Sequence, residues 1–246
     1  MTARISLIGI GTGNPEHLTL EAVKAINEAS LILIPRKSVE KADLVELRRR
    51  ICADVLKNPM TRLVEFDLPM RGCAEPDYET GVEAWHEAIA AQWRHVLAAE
   101  LPGGGEAALL VWGDPSLFDG TLRIAARLDV TVRVIPGITA IQGLTAAHAI
   151  VLNEIGKPFL VTTGRRLRAQ GWPQGVDTLV VMLDAGCAFE VLAPEGVSIW
   201  WGAYLGMPGQ MTRSGPLTET GPGIIRARAA ARAAHGWIMD IYILRR

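Results

Sequence analysis

The hydrophobic and polar positions in the first 135 residues follow two alternating patterns. Short runs of aliphatic and β-branched residues predict strands, namely RISLIGIG, LILIP, TRLVEFDL, ALLVW and VTVRVI. Between them, apolar residues recur three or four positions apart, which predicts helices over 20–29, 41–56, 78–101 and 122–128. Strands that alternate with helices in this way indicate a largely parallel sheet covered by helices.

Individual positions within the predicted helices carry more detail. Thr19 precedes the first helix as a candidate N-cap, with Leu20, Val23 and Ile26 as its apolar positions. In the second helix, the spacing places the basic run 48–50 opposite an apolar face of Leu44, Leu47, Ile51 and Val55. The spacing in the third helix predicts core positions for Trp85 and Trp93.

The pattern changes after residue 135. A helix is predicted from Thr139 to about Ile150, and the later strand candidates PFLVTT, TLVVML, VSIWW and WIMDIYIL lie closer together. Further helices are expected near 188–192 and 224–234. We therefore predict two α/β domains, 1–140 with a mostly parallel sheet and 141–246 with a smaller mixed sheet.

Composition narrows the class of protein. The chain has 246 residues, a net charge of -1 and an isoelectric point near 6.5, so no global basic field favours nucleic acid or a membrane surface. The N-terminus lacks the features of a signal peptide, and the apolar region 139–152 falls short of a membrane span. These features predict a cytoplasmic protein.

The cysteines and histidines are scattered along the chain. Cys52, Cys73 and Cys187 are therefore predicted to be reduced thiols, and the unclustered histidines predict no metal site.

The stretch LIGIGTGNPEHLT places three glycines at alternate positions after the first strand. A dinucleotide-binding loop requires a third glycine where Asn14 stands and a helix that starts at the glycines. Pro15 favours an extended Asn14, which prevents such a start. Arg36 and Lys37 also stand where an acidic residue would bind the ribose. The sequence therefore argues against NAD binding at this loop. A tight turn at the end of the strand would by itself also explain the glycines.

Two further motifs follow predicted strands. VWGDPSLFDG covers 111–120 and VIPGITA covers 134–140. Ligands of open parallel sheets bind beyond the carboxyl ends of the strands, where both motifs and the glycine loop are expected. Gly113 permits close approach of the backbone, and Asp114 places a carboxylate there, although Asp also commonly caps a helix.

The three motifs in this order, GxGxGxPxxLT, GDPxxF and PGITA, resemble those of the tetrapyrrole methyltransferases, and the resemblance extends over nearly the whole chain. WGDPSLFDGTLRI, VTTGRRL, VVMLDAG, WWGAYLG and HGWIMDIYILRR resemble a subfamily of cobalamin synthesis. This resemblance implies a two-domain fold with S-adenosylmethionine bound in the cleft between the domains. It also implies methylation of precorrin-5 at C-1 and hydrolytic release of the ring acetyl group as acetate.

The resemblance also implies which residues contact the methyl donor. Many relatives have proline where Thr12 stands and a second glycine where Trp112 stands. At these two positions the chain departs from the family pattern. The implied contacts are Thr12, Trp112, Gly113, Asp114, Leu117, Thr139, Ala140, Leu183, Ala203, Tyr204 and Gly215, with Pro216 as an alternative to Gly215.

The chemistry suggests roles for a few polar residues. Methyl transfer from a sulfonium needs alignment and a dry pocket more than a strong base, whereas deacetylation needs a base and an oxyanion donor. Asp114 is the leading base candidate and is equally compatible with a structural role. Tyr204 and Arg165 are oxyanion candidates. The basic residues after strands are candidates for the substrate carboxylates, namely Arg36, Lys37, Arg165, Arg166 and Arg168.

Alternative functions remain open at this point. Within the same fold, the chain could methylate RNA or a protein histidine, although the lack of basic excess argues against RNA. From other classes, a dinucleotide-dependent oxidoreductase or a non-catalytic ligand carrier remain. The resemblance further implies a homodimer.

Overall fold

The computed structural model describes residues 3–36, 42–70 and 78–246. The chain divides into two compact units, Met1–Thr139 and Ala140–Arg246. The sequence-based division lay one residue later, between 140 and 141. Lys37 and Cys73, which the sequence analysis singled out, lie outside the described residues.

The first unit contains a five-stranded sheet in the order β3-β2-β4-β1-β5. Each described pairing in it is parallel, so the carboxyl ends of the strands share one edge. This arrangement confirms the predicted parallel sheet. The strands are β1 (Ala3–Gly9), β2 (Leu31–Arg36), β3 (Arg62–Asp67), β4 (Gly105–Val111) and β5 (Thr131–Ile135).

The helices of this unit are α1 (Leu20–Glu28), α2 (Ala42–Val55), α3 (Tyr78–Glu100) and α4 (Thr121–Ala125). The predicted cap of α1 is confirmed, because the Ala22 N–H donates to Thr19 Oγ1 at 3.0 Å. The predicted apolar face was wrong at Leu20, which is exposed, because α1 packs instead through Ala22, Ala25 and Ile26.

Side chains from both faces of the sheet form separate apolar clusters. One cluster includes the inner face of α3, where Trp93 is buried as predicted. Trp85 packs against the same cluster while its Nε1–H donates to the Pro69 carbonyl oxygen at 2.8 Å. The other cluster lies under α1 and α2. The glycine loop and its companion motifs thus extend from strands that are packed on both faces.

The second unit contains a five-stranded sheet in the order β6-β7-β10-β8-β9. β6 and β7 are parallel, whereas β10 is antiparallel to β7 and β8, and β9 is antiparallel to β8. The predicted mixed sheet is therefore confirmed. The elements are α5 (Ala140–His148), β6 (Phe159–Thr163), α6 (Gly164–Gln170), β7 (Thr178–Met182), β8 (Ser198–Ala203), β9 (Met211–Pro216), α7 (Leu217–His235) and β10 (Asp240–Arg245).

Two of these elements were missed in the sequence. β9 lies at the sheet edge and exposes most of its polar residues, so it lacks the apolar alternation of an inner strand. Helix α6 buries only Gly164 and Leu167, too few positions to show a helical period. The predicted helix over 188–192 is a 3₁₀ turn, Ala188–Val191. Helix α7 begins at Leu217, and the predicted start at 224 was too late because glycine and proline in the first turns obscure the helical pattern.

No helix within the described ranges is both long and apolar enough to cross a bilayer.

Candidate active site

The first two motifs of the first unit pair with each other through their backbones. The Gly11 N–H donates to the Gly113 carbonyl oxygen at 3.3 Å, and the Gly113 N–H donates to the Gly11 carbonyl oxygen at 2.8 Å. This antiparallel bridge lies directly beyond the parallel pairing of β1 with β4. The glycine loop and the GDP motif therefore form one continuous structure at the carboxyl edge of the sheet.

The third motif packs against the same two loops. A Cβ placed on Gly137 would lie only 2.0 Å from the Gly113 carbonyl oxygen. A Cβ placed on Gly9 would lie 2.6 Å from the Gly137 nitrogen. Real Cβ atoms do not approach other atoms so closely, so Gly9 and Gly137 must be glycine. Gly113 has a φ of +60°, which also favours glycine. At least part of the glycine pattern is thus explained by backbone-to-backbone packing among the loops.

The chain after the glycine loop follows the course predicted from Pro15. Asn14 is extended, with φ -87° and ψ 123°, and its side chain accepts a hydrogen bond from the Glu16 N–H. A short 3₁₀ turn, Pro15–His17, follows, and α1 begins only at Leu20. Because α1 does not begin at the glycines, the loop lacks the strand-to-helix geometry that binds a pyrophosphate in dinucleotide folds.

Thr12 lies within this loop and is buried. Its Oγ1 lies 2.8 Å from His17 Nδ1. A Cβ on Gly11 would in turn meet the His17 Cβ at 2.8 Å. His17 therefore packs under the loop and holds the Thr12 hydroxyl.

Asp114 uses both carboxylate oxygens to hold the loops together. Its Oδ1 accepts from the Ser116 N–H at 2.8 Å and from Ser116 Oγ at 2.5 Å, and its Oδ2 accepts from the Gly137 N–H at 2.9 Å. Partial burial raises the pKa of Asp114, but these hydrogen bonds outweigh it and the net pKa lies below the ordinary value. This geometry favours the structural role; the role as a base stays a prediction.

Trp112 is the first residue after β4, and Arg48 of α2 contacts both. The Arg48 guanidinium carbon lies 5.6 Å from the centroid of the Trp112 ring, and Nε donates to the Leu110 carbonyl oxygen at 3.1 Å. Leu110 lies beyond the last residue of β4 that pairs with β2. The predicted orientation of Arg48 away from the apolar face was therefore wrong. Its burial lowers the pKa of Arg48 to about 10.

The second unit presents two predicted contacts in strained conformations. Leu183, directly after β7, has φ +51° and is 64% exposed. Tyr204, directly after β8, also has φ +51° but is buried. Left-handed conformations are unfavourable for side chains of this size, and such strained residues cluster at functional sites. The sequence contained no signal of this strain.

A buried polar network fixes the loop after β7. Asp184 accepts hydrogen bonds from the Gly186 N–H, the Ala188 N–H and the Tyr242 hydroxyl, at 3.0, 2.6 and 2.8 Å. Burial raises the pKa of Asp184, but these donors and the charge of Arg228 leave the net pKa below its ordinary value. The carboxylate is therefore ionised, and it anchors the residues that follow Leu183.

Arg228 of α7 connects this loop to β10. Its Nε donates to Asp240 Oδ2 at 2.6 Å, and its Nη2 donates to the Asp184 carbonyl oxygen at 2.5 Å. Trp201 Nε1 donates to the same Asp240 oxygen at 2.7 Å. Both charged side chains are almost fully buried. Sequence analysis missed these residues because the partners are far apart in the chain.

The Tyr204 hydroxyl is engaged within the second unit. It donates to the Trp237 carbonyl oxygen at 2.6 Å, and the ring packs edge-on against Trp237 and His235. An oxyanion role would require this hydrogen bond to be exchanged. That role stays a prediction, and the geometry favours a structural one.

The candidate arginines differ in their surroundings. Arg36 forms a bidentate pair with Asp67, with both N–O distances at 2.9 Å. Arg165, Arg166 and Arg168 lie on helix α6 and not in a loop. All three are exposed, and Arg168 donates to the Gly186 carbonyl oxygen at 2.6 Å and to Asp184 Oδ1 at 3.2 Å. Arg36 and Arg168 thus each pair with a carboxylate of their own unit.

The remaining predicted contacts lie at strand or helix ends. Leu117 follows the GDP turn and its N–H donates to the Asp114 carbonyl oxygen at 3.2 Å. Thr139 ends the first unit and Ala140 begins α5. Ala203 is the buried last residue of β8, and Gly215 pairs with Ile199 of that strand from β9.

Within the described ranges, no three His, Cys, Asp or Glu side chains are grouped as metal ligands. Cys52 and Cys187 are free and buried, and burial raises the pKa of Cys52 to about 11. These two thiols are therefore protonated and poorly reactive at neutral pH.

Comparison with known proteins places the chain in a family. Residues 4–221 match the family model of tetrapyrrole (corrin/porphyrin) methylases. The chain belongs to the tetrapyrrole methylase family. The chain is 45% identical to a precorrin-6A synthase [deacetylating] from Sinorhizobium sp over 99% of this chain and 95% of that protein. It is 34% identical to a precorrin-2 C(20)-methyltransferase from Sinorhizobium sp over 67% of this chain and 66% of that protein.

Solved structures of tetrapyrrole methylases share this fold. A cobalamin synthesis related protein (CobF) from Corynebacterium diphtheriae aligns with a TM-score of 0.83 at 39% identity, covering 99% of this chain and 98% of that one. A uroporphyrin-III C-methyl transferase from Thermus thermophilus, complexed with S-adenyl homocysteine, aligns with a TM-score of 0.62 at 21% identity, covering 98% and 92%. The two-unit α/β architecture predicted from the sequence is therefore that of the family.

Proposed function

We propose that this protein is a precorrin-6A synthase (deacetylating). It is an S-adenosylmethionine-dependent C-methyltransferase of cobalamin biosynthesis that methylates precorrin-5 at C-1 and releases the ring acetyl group as acetate. The observation that carries this assignment is the 45% identity to a precorrin-6A synthase [deacetylating] across 99% of the chain. The packing of the glycine, GDP and PGITA loops against one another supports this proposal.

The loops of the first unit suit a methyl donor. S-adenosylmethionine supplies an activated methyl group, and its transfer is a displacement that needs alignment and not a strong base. Gly113, Trp112 and Leu117 offer backbone groups and apolar side chains, while both carboxylate oxygens of Asp114 are occupied by neighbours. Within this unit, Thr12, Trp112, Gly113, Asp114, Leu117 and Thr139 are the proposed donor contacts.

The second unit offers further proposed contacts. Leu183 exposes an apolar side chain from a strained backbone, which is typical of a ligand-binding position. The resemblance to the family also supports four further proposed contacts, namely Ala140, Ala203, Tyr204 and Gly215. We also propose that residues 1–140 supply the glycine loop and the GDP motif, and that residues 141–246 complete the site for donor and substrate. We further propose that the protein is a cytoplasmic homodimer.

The deacetylation step requires water to attack the acetyl carbonyl carbon. A base takes a proton from that water, the carbon–carbon bond to the ring breaks, and the macrocycle accepts the electron pair while acetate leaves. Asp114 remains the proposed base, with Tyr204 and Arg165 as oxyanion donors. Arg165 and Arg166 are proposed to bind substrate carboxylates, because both are exposed cations in the first turn of α6, directly after β6.

The decisive experiment is an incubation of the purified protein with precorrin-5 and methyl-labelled S-adenosylmethionine. We expect one labelled methyl group in the product and an equal amount of acetate. Calorimetry with S-adenosylhomocysteine and with NAD provides an independent readout. Binding of NAD alone, or absence of labelled product, would contradict the proposal.

The base assignment is tested separately with Asp114→Ala. If Asp114 is the base, acetate release falls at least about tenfold more than methyl transfer does in this variant. If the variant still binds S-adenosylhomocysteine and the ratio of acetate released to methyl groups transferred is unchanged, Asp114 is not the base.

A further inference from the structure

Phe118 combines two unfavourable features in the GDP loop. It has φ +50°, a left-handed conformation that is rare for bulky residues, and it is 45% exposed. It lies between the end of β4 and the start of α4, in the loop that leaves the carboxyl edge of the parallel sheet. Ligands of such sheets bind at this edge.

Hydrogen bonds on both sides of Phe118 fix this conformation. Before it, the Leu117 N–H donates to the Asp114 carbonyl oxygen at 3.2 Å. After it, Asp119 Oδ1 accepts from the Thr121 N–H at 2.7 Å and from the Thr121 hydroxyl. The strain is therefore imposed by the surrounding loop.

The other left-handed residues show how such strain is usually offset. Tyr204 is buried, and its hydroxyl donates to the Trp237 carbonyl oxygen. Cys187 is also buried, and its Sγ accepts a hydrogen bond from Arg228 Nη1. Their side chains thus contribute to the folded state. Among the described non-glycine residues with positive φ, only Phe118 and Leu183 are large, apolar and exposed.

We infer that Phe118 is a substrate-contacting residue whose ring packs against the conjugated face of the tetrapyrrole macrocycle. This inference rests on the proposed function and names a residue that the predicted donor contacts did not include. An aromatic ring suits a broad conjugated face because offset packing adds to the burial of apolar area. The ring is exposed on a backbone that these hydrogen bonds hold, so it is available for this contact.

The test compares Phe118→Gly, Phe118→Leu and Phe118→Tyr with the unchanged protein. Glycine relieves the strain, so Phe118→Gly should unfold at the same or a higher temperature. We expect its KM for precorrin-5 to rise about tenfold, while the Kd for S-adenosylhomocysteine changes less than about twofold. Phe118→Leu should raise KM as well, and Phe118→Tyr should keep KM close to that of the unchanged protein.

Met60→Ala provides a matched control, since Met60 is a large exposed apolar residue in the turn between α2 and β3. It should leave KM unchanged. The inference is overturned if Phe118→Gly keeps its KM, loses donor affinity to the same extent, or unfolds at a lower temperature. A change in the sedimentation coefficient with unchanged KM would assign Phe118 to a contact between chains and also overturn it. If the unchanged protein gives no labelled product, the proposed function has failed.

Discussion

The two units fix their strand-end loops by different physical means. In the first unit, three loops pack backbone against backbone at Gly9, Gly113 and Gly137, with one carboxylate, Asp114, bridging two of them. In the second unit, the loop after β7 is held by buried charged groups, Asp184, Arg228 and Asp240. The loops of the first unit pack closely because glycine has no side chain. The loop of the second unit is stable because its buried charged side chains are paired.

This difference predicts different sensitivities to substitution. A backbone-packed site cannot accept even a methyl group, whereas a buried ion pair tolerates shape changes but not loss of one partner. The variants below are arranged from the largest to the smallest expected effect.

Arg228→Met should have the largest effect on stability. It leaves the buried Asp240 carboxylate without its cation and the Asp184 carbonyl oxygen without its donor. We expect the free energy of unfolding to fall by about 3–5 kcal/mol, measured by urea denaturation. Arg226→Met on the same helix is exposed and should stay within about 0.5 kcal/mol. Equal stability of both variants would show that the charged network is not what holds the second unit.

Gly137→Ala should disrupt the backbone-packed loops. The new Cβ would lie 2.0 Å from the Gly113 carbonyl oxygen, so one of the loops must move. We expect a loss of about 2–3 kcal/mol in unfolding free energy and a large loss of S-adenosylhomocysteine affinity by calorimetry. Gly103→Ala is the control, because a Cβ there meets nothing within 4 Å. Unchanged donor affinity in Gly137→Ala would separate these loops from the donor site.

Asp114→Asn should cost about 1–2 kcal/mol, because an amide cannot accept at both ends and the Gly137 N–H loses its partner. The pH dependence supplies a second readout. The folded pKa of Asp114 is lowered, so its contribution to stability is fully present above the unfolded pKa near 4. It is lost as the pH falls through the folded pKa. The variant should therefore lose less stability than the unchanged protein on acidification, and parallel curves would contradict this.

Arg48→Lys should have the smallest effect. Lysine keeps the charge near Trp112 but cannot reproduce the guanidinium geometry that also reaches Leu110. We expect a loss of about 0.5–1 kcal/mol in unfolding free energy, with a change in tryptophan fluorescence. Arg50→Lys, an exposed neighbour on α2, should show neither change. The same fluorescence spectrum in both variants would mean that Arg48 does not contact Trp112 in solution.

The sequence was informative where chemistry depends on neighbouring residues. The alternating strands and helices, the cap at Thr19 and the effect of Pro15 on Asn14 are local, and the structure confirms each of them. Helix α6 and strand β9 were missed because they bury few apolar residues. The predicted orientation of Arg48 was wrong, because a helical period does not reveal that the Leu110 carbonyl oxygen accepts a hydrogen bond from this side chain.

What the sequence determined by itself was the class of the fold, the three ordered motifs and the family to which they point, since each depends on short-range pattern. Only the tertiary structure revealed that the glycines pack against one another and that Asp114 bridges two of the loops. It alone showed that Phe118 and Leu183 are strained and exposed. These features depend on contacts between segments far apart in the chain, and no local pattern encodes such distances.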